Sequence, residues 1–440
     1  MKRFGLIGHP LGHSLSPLIH RRIMEIAGIR GDYRLFGIAP ENLDRELPAL
    51  LRSLDGFNCT IPHKLAVVPH LSRLADSARN VGAVNTIETK TLTGHNTDIT
   101  GFEASCGIRF GGKNVLLLGA GGTARAFAFA ALANGAKSLA LAVRNPQAAS
   151  FPWASGAEIF PLSDSEIRFG ADVILNATPV GMWPNCGGMP AGIGLAKKPG
   201  AELFDAIYNP VSTRLILNAR KHGARAVGGL RMLVRQAIEA QKIWNPDTAV
   251  DAEKIESAIL PELVRELLAH FPVKILLTGF MGAGKSAAGK ILAKRLGFAF
   301  ADSDDEIVKR TARTIPEIFA SDGEAGFRAV EREAAAALLS APGSAIIASG
   351  GGFPTLPENR ELARAENALV FNLALPFDAA WQRAHSDTGT VRPLARDYGE
   401  TKALFEKREP VYRQFCDYEI AATGSPEKTA DEIVSVLTAV

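Results

Sequence analysis

The chain has 440 residues, too many for one ordinary hydrophobic core, so we expect two or three domains. Its residues are 47% apolar and 22% charged, and the net charge of +3 includes no basic block. This composition indicates a globular protein and gives no sign of nucleic-acid binding. No apolar run is long enough for a membrane span, and the N-terminal one is too short for a secretory signal. The four cysteines are scattered without a C-x-x-C pair, which favours a reduced, cytoplasmic setting.

A turn rich in Gly and Pro follows the first predicted strand, residues 4–7. Pro17 is suited to the first turn of a helix over residues 18–27, with Ser16 as its N-cap. From the residues alone, Ser14 and Ser16 are therefore a turn residue and a cap. The alternative is a pair of hydroxyl groups that face a polyhydroxylated ligand.

A lysine lies at the next strand-to-helix corner. A strand is predicted to end at Pro62 and a helix to begin at His63, which places Lys64 where a lysine is ordinarily a solvated surface charge. Two later polar turns, residues 82–87 and 94–98, favour another interpretation, because they supply an amide, a hydroxyl and a carboxylate. A lysine beside a carboxylate keeps its charge and is held in one orientation.

The motifs S-L-S-P, N-x-T-I-P-H-K, G-A-V-N-T and N-T-D occur here in order. Together they resemble the substrate domain of shikimate dehydrogenase. The resemblance implies that Lys64 and Asp98 are the catalytic pair. It also implies that four further residues hold the substrate's carboxylate and hydroxyl groups: Ser14, Ser16, Thr60 and Asn85.

A dinucleotide fingerprint follows. A buried strand over residues 113–118 leads into G-x-G-x-x-A and then into a helix, which is the setting that this fingerprint requires. The pyrophosphate of a dinucleotide is expected at the helix N-terminus. The residues predicted to bind NADP there are Gly119, Ala120, Gly121, Gly122, Thr123 and Ala124.

The end of the next strand, residues 138–143, bears on the choice of cofactor. An NAD site needs an acidic residue here for the ribose 2′-hydroxyl, but Arg144 offers a cation for a 2′-phosphate. The family's usual motif is Asn-Arg-Thr, so Val143 and Asn145 are departures from it. The resemblance further implies that Thr178 and Gly229 lie near the nicotinamide and that Tyr208 and Gln236 contact the substrate. Arg231 stands where the family usually has a small residue.

The segment after the long helix that ends near Trp244 is ambiguous. Residues 248–270 predict one or two amphipathic helices, interrupted at Pro261, which either cap the dehydrogenase or link it to the next domain. The predicted domains are a substrate domain 1–102 completed by helix 232–262, a Rossmann NADP domain 103–231, a linker 263–272, and a P-loop domain 273–440.

The segment G-F-M-G-A-G-K-S, residues 279–286, fits the phosphate-binding pattern G-x-x-x-x-G-K-[ST]. It lies between an apolar strand, residues 273–278, and a helical pattern, residues 286–296. Lys285 is expected to reach the phosphates of ATP, and the Ser286 hydroxyl to bind Mg²⁺. The predicted ATP-binding residues in this loop are Gly282, Ala283, Gly284, Lys285, Ser286 and Ala287.

Two aspartates follow the next strand, at the edge where ligands bind in a doubly wound sheet. Asp302 and Asp304 are either helix caps or groups that hold metal-bound water and orient an attacking hydroxyl. Three glycines, residues 350–352, allow close approach of a small ligand or form a flexible turn. A loop-rich stretch, residues 386–397, is interpreted as a lid and contains Arg392.

The motifs G-F-M-G-A-G-K-S, D-S-D, G-E-x-x-F-R, G-G-G, R-P-L and R-E-P-V-Y are similar to those of shikimate kinase, over essentially all of residues 273–440. The resemblance implies that Asp302 serves the metal site with Ser286, and that Arg392 closes on the ATP phosphates. It implies a catalytic role for Asp304, Lys285 and Arg392. The residues that it assigns to shikimate are Asp304, Arg328, Gly351, Gly352 and Arg408.

The sequence thus predicts an α/β protein of three units: a substrate domain, a Rossmann domain, and a P-loop domain like the nucleoside monophosphate kinases. We expect NADPH-dependent reduction of 3-dehydroshikimate and ATP- and Mg²⁺-dependent 3-phosphorylation of shikimate. The alternatives are an NAD-linked quinate/shikimate dehydrogenase fused to the kinase, or one half without catalysis. We expect small-molecule substrates, no nucleic-acid or membrane partner, and a monomer or homodimer.

Overall fold

The structure is a computed structural model, and it describes residues 1–12, 14–148, 156–164, 171–190, 198, 200–386 and 397–440. These residues form three α/β units, each built on a sheet that is mainly or wholly parallel, which confirms the predicted fold class. Within these ranges, no helix is both long enough and apolar enough to cross a membrane. The predicted domain boundaries stay predictions.

The first unit is a mixed six-stranded sheet with four helices. Its elements are β1 (Lys2–Gly8), α1 (Ser16–Ala27), β2 (Gly31–Gly37), α2 (Leu43–Ser53), β3 (Gly56–Cys59), β4 (Arg73–Leu74), α3 (Asp76–Val81), β5 (Thr86–Glu88), β6 (Thr93–His95) and α4 (Asp98–Cys106). The strand order is β2-β1-β3-β5-β6-β4. Ile7, Phe57 and Ile87 from three neighbouring strands are fully buried in one core cluster with Leu47 of α2.

The predicted cap of α1 is wrong. Pro17 lies in the first turn as predicted, but the helix begins at Ser16 and Leu15 precedes it without any side-chain cap. The Ser14 hydroxyl instead accepts a hydrogen bond from the Ser16 backbone N–H at 3.3 Å. The preceding serine therefore binds the N–H at the start of the helix, and Ser16 itself lies inside the helix.

The helix predicted to begin at His63 is also wrong. Residues 61–67 form successive turns that lead into a short 3-10 helix, Val68–His70. Two β-branched residues followed by Pro69 explain the difference, because the residue before a proline and β-branched side chains both disfavour the α conformation.

The second unit is a six-stranded parallel sheet. Its elements are β7 (Asn114–Leu118), α5 (Gly122–Ala133), β8 (Ser138–Val143), β9 (Glu158–Pro161), β10 (Val173–Asn176), β11 (Glu202–Asp205), α6 (Arg214–Lys221) and β12 (Arg225–Val227). The order β12-β11-β10-β7-β8-β9 is that of a doubly wound dinucleotide-binding sheet, in which ligands bind where the order reverses around β7.

Two helices return the chain to the first unit: α7 (Leu230–Trp244) and α8 (Ala252–His270). The predicted interruption at Pro261 does not occur, and α8 runs without a break through residue 263, where the linker was predicted to begin. A proline inside a helix costs about 3 kcal/mol. Burial of Ile259, Leu263 and Leu267 in one cluster with residues of α1 and α7 offsets that cost.

The third unit is a five-stranded parallel sheet with the order β14-β15-β13-β16-β17. Its elements are β13 (Lys274–Thr278), α9 (Lys285–Leu296), β14 (Ala299–Asp302), α10 (Ser303–Thr311), α11 (Ile315–Ser340), β15 (Ala345–Ala348), α12 (Pro357–Ala365), β16 (Leu369–Ala374), α13 (Phe377–Ser386), α14 (Tyr398–Phe415), β17 (Tyr418–Ala421) and α15 (Pro426–Thr438). The backbone of Gly323 breaks α11, with φ of 69°, so Arg328 lies near the start of the second helical segment.

The second and third units meet at α6. Leu217 is fully buried in the same core cluster as Ile275 and Ile420 of the third unit. The buried carboxylate of Asp417 accepts hydrogen bonds from Arg214 Nε at 2.8 Å and from Arg364 Nη1 at 2.8 Å, so it joins an arginine of each unit. The sequence analysis did not predict this contact.

Two candidate active sites

Lys64 and Asp98 are in direct contact. Lys64 Nζ donates a hydrogen bond to Asp98 Oδ2 at 2.5 Å, and the two side chains are only 13% and 8% exposed. The other carboxylate oxygen accepts from Asn85 Nδ2 at 2.8 Å. Both carboxylate oxygens of Asp98 therefore accept a hydrogen bond, and Asp98 in turn holds the ammonium group of Lys64 in place. Such an ammonium group can donate to an oxygen on which negative charge develops.

Thr97 extends this cluster and was missed by the sequence analysis, although it lies inside the N-T-D motif. Its backbone N–H donates to Asn85 Oδ1 at 2.7 Å, and its hydroxyl donates to Gln236 Oε1 at 3.5 Å. Gln236 lies on α7, which approaches α4 closely because Gly101 has no side chain: a Cβ there would lie 3.0 Å from the Gln236 backbone nitrogen.

The other predicted substrate residues lie outside this hydrogen-bonded cluster. Ser14 and Ser16 lie at the start of α1, Thr60 follows β3, and Tyr208 follows β11. Among the described contacts, no hydrogen bond joins any of these four to Lys64 or Asp98. Burial raises the pKa of the Tyr208 hydroxyl. The structure therefore brings together Lys64, Asp98, Asn85 and Gln236.

The dinucleotide loop is shaped by its first glycine. Gly119 has φ of 107°, and a Cβ there would lie 3.1 Å from the Ala177 carbonyl oxygen and 3.3 Å from Thr178 Cγ2. Thr178 is held in turn by its hydroxyl, which donates to Asn176 Oδ1 at 2.7 Å. The loop and the turn after β10 are thus packed together at the edge where a cofactor would bind.

The N-terminus of α5 faces Lys64. A Cβ on Gly122 would lie 3.0 Å from Lys64 Cδ, and Lys64 Nζ lies 3.4 Å from the Thr123 hydroxyl. The first and second units therefore meet where the cofactor and the substrate are expected. Three other predicted residues of this region are Ala120 and Gly121, both exposed, and Ala124, which is buried.

The remaining predicted NADP contacts lie on separate elements. Arg144 is exposed directly after β8. Gly229 precedes α7, and a Cβ there would lie 2.2 Å from the Ala206 carbonyl oxygen, so no larger residue fits. The unusual Arg231 does not disturb this approach, because its guanidinium pairs with Glu256 of α8, which also pairs with Arg235.

Asp205 was missed by the sequence analysis. Its carboxylate accepts from Asn176 Nδ2 at 2.9 Å, from the Thr213 hydroxyl at 2.7 Å and from the Ile207 backbone N–H at 3.1 Å. Complete burial raises the pKa of Asp205 to about 6, and the three hydrogen bonds oppose that rise. The residue ties the end of β10, which carries the Thr178 turn, to the loop after β11.

The phosphate loop has the expected backbone. Gly282 and Gly284 have φ of 80° and 83°, which favours glycine, and a Cβ on Gly282 would lie 2.3 Å from the Ala380 carbonyl oxygen. Lys285 Nζ donates to the Gly279 carbonyl at 2.8 Å, so its charge lies over the loop. Ala283 is buried and Ala287 is exposed on α9.

Ser286 and Asp302 are the predicted metal ligands, and they are in contact. The Ser286 hydroxyl donates to Asp302 Oδ2 at 2.5 Å, and Asp302 Oδ1 caps α10 through the Asp304 backbone N–H at 3.0 Å. Asp302 thus has the capping role and also faces Ser286. A hydroxyl and a carboxylate are the hard oxygen ligands that Mg²⁺ prefers, and few protein ligands suffice for it. Within the described ranges, no cluster of three His, Cys, Asp or Glu side chains suggests another metal.

A second polar pocket surrounds the glycine turn after β15. A Cβ on Gly350 would lie 3.3 Å from Asp304 Oδ1, one on Gly351 3.8 Å from Arg408 Nη1, and one on Gly352 2.2 Å from Arg328 Nη1. The five predicted shikimate-binding residues, Asp304, Arg328, Gly351, Gly352 and Arg408, therefore converge. Burial, and then the charge of Asp302, raises the pKa of Asp304 to about 6.

Two residues that hold this pocket were missed by the sequence analysis. Glu331 Oε2 accepts from Arg328 Nη1 at 2.7 Å and is almost fully buried, and this burial raises the pKa of the carboxyl. The Tyr412 hydroxyl donates to the Gly351 carbonyl at 2.5 Å. Helical spacing from Arg328 to Glu331 was the available signal. Arg392, the predicted lid residue, lies outside the described residues.

Comparisons with known proteins identify both halves. A family model described as "Shikimate dehydrogenase substrate binding domain" matches residues 6–87, and one described as "Shikimate kinase" matches residues 281–438. The chain is 36% identical to "Shikimate dehydrogenase (NADP(+))" of Moorella thermoacetica over 279 residues, which cover 60% of this chain and 92% of that relative. The chain belongs to the shikimate dehydrogenase family. It also carries a C-terminal shikimate kinase domain, so it is a bifunctional enzyme of the shikimate pathway, both oxidoreductase and phosphotransferase.

Solved structures agree with the fold. Shikimate dehydrogenase 1 from Peptoclostridium difficile is 34% identical with a TM-score of 0.56, over 61% of this chain and 99% of that one. Shikimate 5-dehydrogenase from Thermus thermophilus, solved in complex with NADP(H) and shikimate, is 32% identical with a TM-score of 0.52, over 61% of this chain and all of that one.

Proposed function

We propose that the first two units reduce 3-dehydroshikimate to shikimate with NADPH, and that the third unit phosphorylates the 3-hydroxyl of shikimate with ATP. One observation carries this proposal: a single chain holds the Lys64–Asp98 pair beside a dinucleotide loop and a phosphate loop beside a pocket of two arginines. The four buried, unpaired cysteines support a cytoplasmic setting. The assembly is a monomer or homodimer.

In the dehydrogenase site, Lys64 donates the proton. NADPH, when bound at the dinucleotide loop, supplies the hydride. As negative charge develops on the carbonyl oxygen, the Lys64 ammonium donates its hydrogen bond and then a proton, while Asp98 and Asn85 hold its orientation. Arg144 offers the cation that a 2′-phosphate requires, which supports NADP over NAD.

In the kinase site, catalysis depends mainly on positioning of the reactants and on electrostatic stabilisation of the transferred phosphoryl group. The arginines Arg328 and Arg408 face the acceptor's carboxylate, and Asp304 accepts a hydrogen bond from the attacking hydroxyl. Lys285 and Arg392 offset charge on the transferred phosphoryl group. Ser286 and Asp302 would hold Mg²⁺, which would supply further positive charge against the triphosphate.

A coupled assay tests the proposal. With 3-dehydroshikimate, NADPH and MgATP, we expect NADPH oxidation followed by ADP release. Shikimate should not form when NADPH is omitted, and shikimate 3-phosphate should not form when MgATP is omitted. Dehydrogenase rates with shikimate or quinate and NADP or NAD then separate the two dehydrogenase assignments. Faster oxidation of quinate with NAD than of shikimate with NADP would overturn our assignment of the dehydrogenase. If one half shows no activity, that half is a binding domain instead.

Glu331→Gln should raise the kinase KM for shikimate about tenfold, because Arg328, whose side chain is 14% exposed, loses a charged partner. The KM for ATP should not change, since the described contacts of Glu331 lie around the glycine turn and not at the phosphate loop. Glu324→Gln is a matched control: Glu324 contacts the same arginine at 3.1 Å but its side chain is 69% exposed, so we expect about the wild-type KM. Equal effects of the two substitutions on steady-state kinetics would contradict this view of the pocket.

A further inference from the structure

The turn after β10 continues into a loop that reaches the other half of the protein. This nicotinamide loop, residues 181–189, follows the Thr178 turn assigned to the cofactor. The ring of Trp183 lies edge-on against that of Phe271, at 5.1 Å between centroids, just before the third unit begins. The Trp183 backbone N–H donates to the Asn209 carbonyl at 2.9 Å. The loop is thus held by residues on both sides of it.

Its far end binds the third unit directly. The Gly187 backbone N–H donates to Asn367 Oδ1 at 2.8 Å, and the Gly187 carbonyl accepts from Arg214, which also holds Asp417. The fit leaves no space: a Cβ on Gly187 would lie 2.7 Å from Asn367 Oδ1 and 2.9 Å from the Arg364 carbonyl oxygen. Asn367 itself has φ of 56°, a conformation that asparagine tolerates better than most residues.

The loop then returns to the cofactor turn. Gly188 donates to the Asn185 carbonyl at 3.0 Å and lies against Gly181. Gly181 has φ of 95°, and a Cβ on it would lie 2.9 Å from the Gly188 carbonyl oxygen. Gly187 is therefore connected to Gly181 through the contact of one neighbouring residue, and Gly181 is three residues from Thr178.

We propose that the end of α12 and its connection to β16, together residues 364–368, form an interaction surface that positions the nicotinamide loop of the dehydrogenase half. The kinase half then has a second role, as a support for NADPH binding at the other site. This inference rests on the proposed function, because the place of the Thr178 turn beside the nicotinamide is part of that proposed function. It assigns Gly187 and Asn367 as positioning residues that do not contact the substrate.

Two variants of the full-length protein test this role. Asn367→Gly removes the acceptor for Gly187 and keeps the backbone conformation accessible, and Gly187→Ala forces a clash with the third unit. We expect each to raise the KM for NADPH about fivefold, the effect of one lost hydrogen bond, with little change in the KM for 3-dehydroshikimate. Amide hydrogen exchange in residues 177–189 should become faster, and the kinase kcat/KM should stay at its wild-type value.

Lys221→Ala is the matched control. Lys221 crosses the same interface, where it donates to the Cys416 carbonyl at 2.8 Å, but its described contacts do not include the loop. Its KM for NADPH should therefore equal the wild-type value. If Asn367→Gly and Gly187→Ala behave like Lys221→Ala in both KM and exchange, the supporting role is refuted. A wild-type protein that does not use NADPH would instead refute the proposed function, and the exchange data would still decide whether the surface holds the loop.

Discussion

Lys64→Met should lower the dehydrogenase kcat about a thousandfold, which is a typical loss for a positioned general acid. Methionine keeps the unbranched stem that lies beside Gly122 but has no proton to donate. The developing charge on the substrate oxygen would then lose its donor, while the substrate's other contacts remain. The KM for 3-dehydroshikimate should therefore change much less than kcat, because the lost interaction is stronger in the transition state than in the ground state.

The second activity of the same molecule serves as the folding control. The kinase rate of Lys64→Met should equal that of the wild type, since the described contacts of Lys64 lie within the first two units. Lys90→Met is the matched surface control, because Lys90 is an exposed lysine of the same unit, and it should leave both rates unchanged. Dehydrogenase activity in Lys64→Met within a few fold of wild type would rule out Lys64 as the proton donor.

The sequence predicted the parts of both sites that depend on short segments. The dinucleotide and phosphate loops need a strand, a glycine turn and a helix in immediate succession, so their residues and their setting are visible together. The family resemblance implies that Lys64 and Asp98 form a pair, and in the structure Lys64 Nζ lies 2.5 Å from Asp98 Oδ2. Local rules failed where two turn residues compete: Ser14, and not Ser16, binds the N–H at the start of α1.

Most residues that support the sites or join the units could not be found this way, because their partners, unlike that of Glu331, are distant in the sequence. Asp417 joins Arg214 and Arg364, which are 203 and 53 residues away, and nothing near any of the three signals the contact. Arg231 was visible as a departure from the family pattern, but its partner Glu256 was not. A proline within a helical pattern predicts a break, and the burial of Ile259, Leu263 and Leu267 around Pro261 is not visible in the sequence.

Lys285→Met should lower the kinase kcat about a hundredfold to a thousandfold and leave the dehydrogenase rate unchanged. The side chain lies over the phosphate loop, where it donates to the carbonyls of Gly279 and Phe280 at 2.8 and 3.1 Å. These carbonyls hold the ammonium over the loop in which the triphosphate is expected. Methionine has a similar stem and no charge, so the loss should be electrostatic.

Lys290→Met is the control on the same helix. Lys290 is exposed on α9, where its ammonium lies 5.7 Å from the Phe300 ring, and its loss should change neither rate by more than about twofold. The ratio of effects on kcat and on the KM for ATP then locates the role of Lys285. A rise in the KM for ATP without a loss of kcat would mean that Lys285 binds ground state and transition state equally, and would contradict the assigned catalytic role.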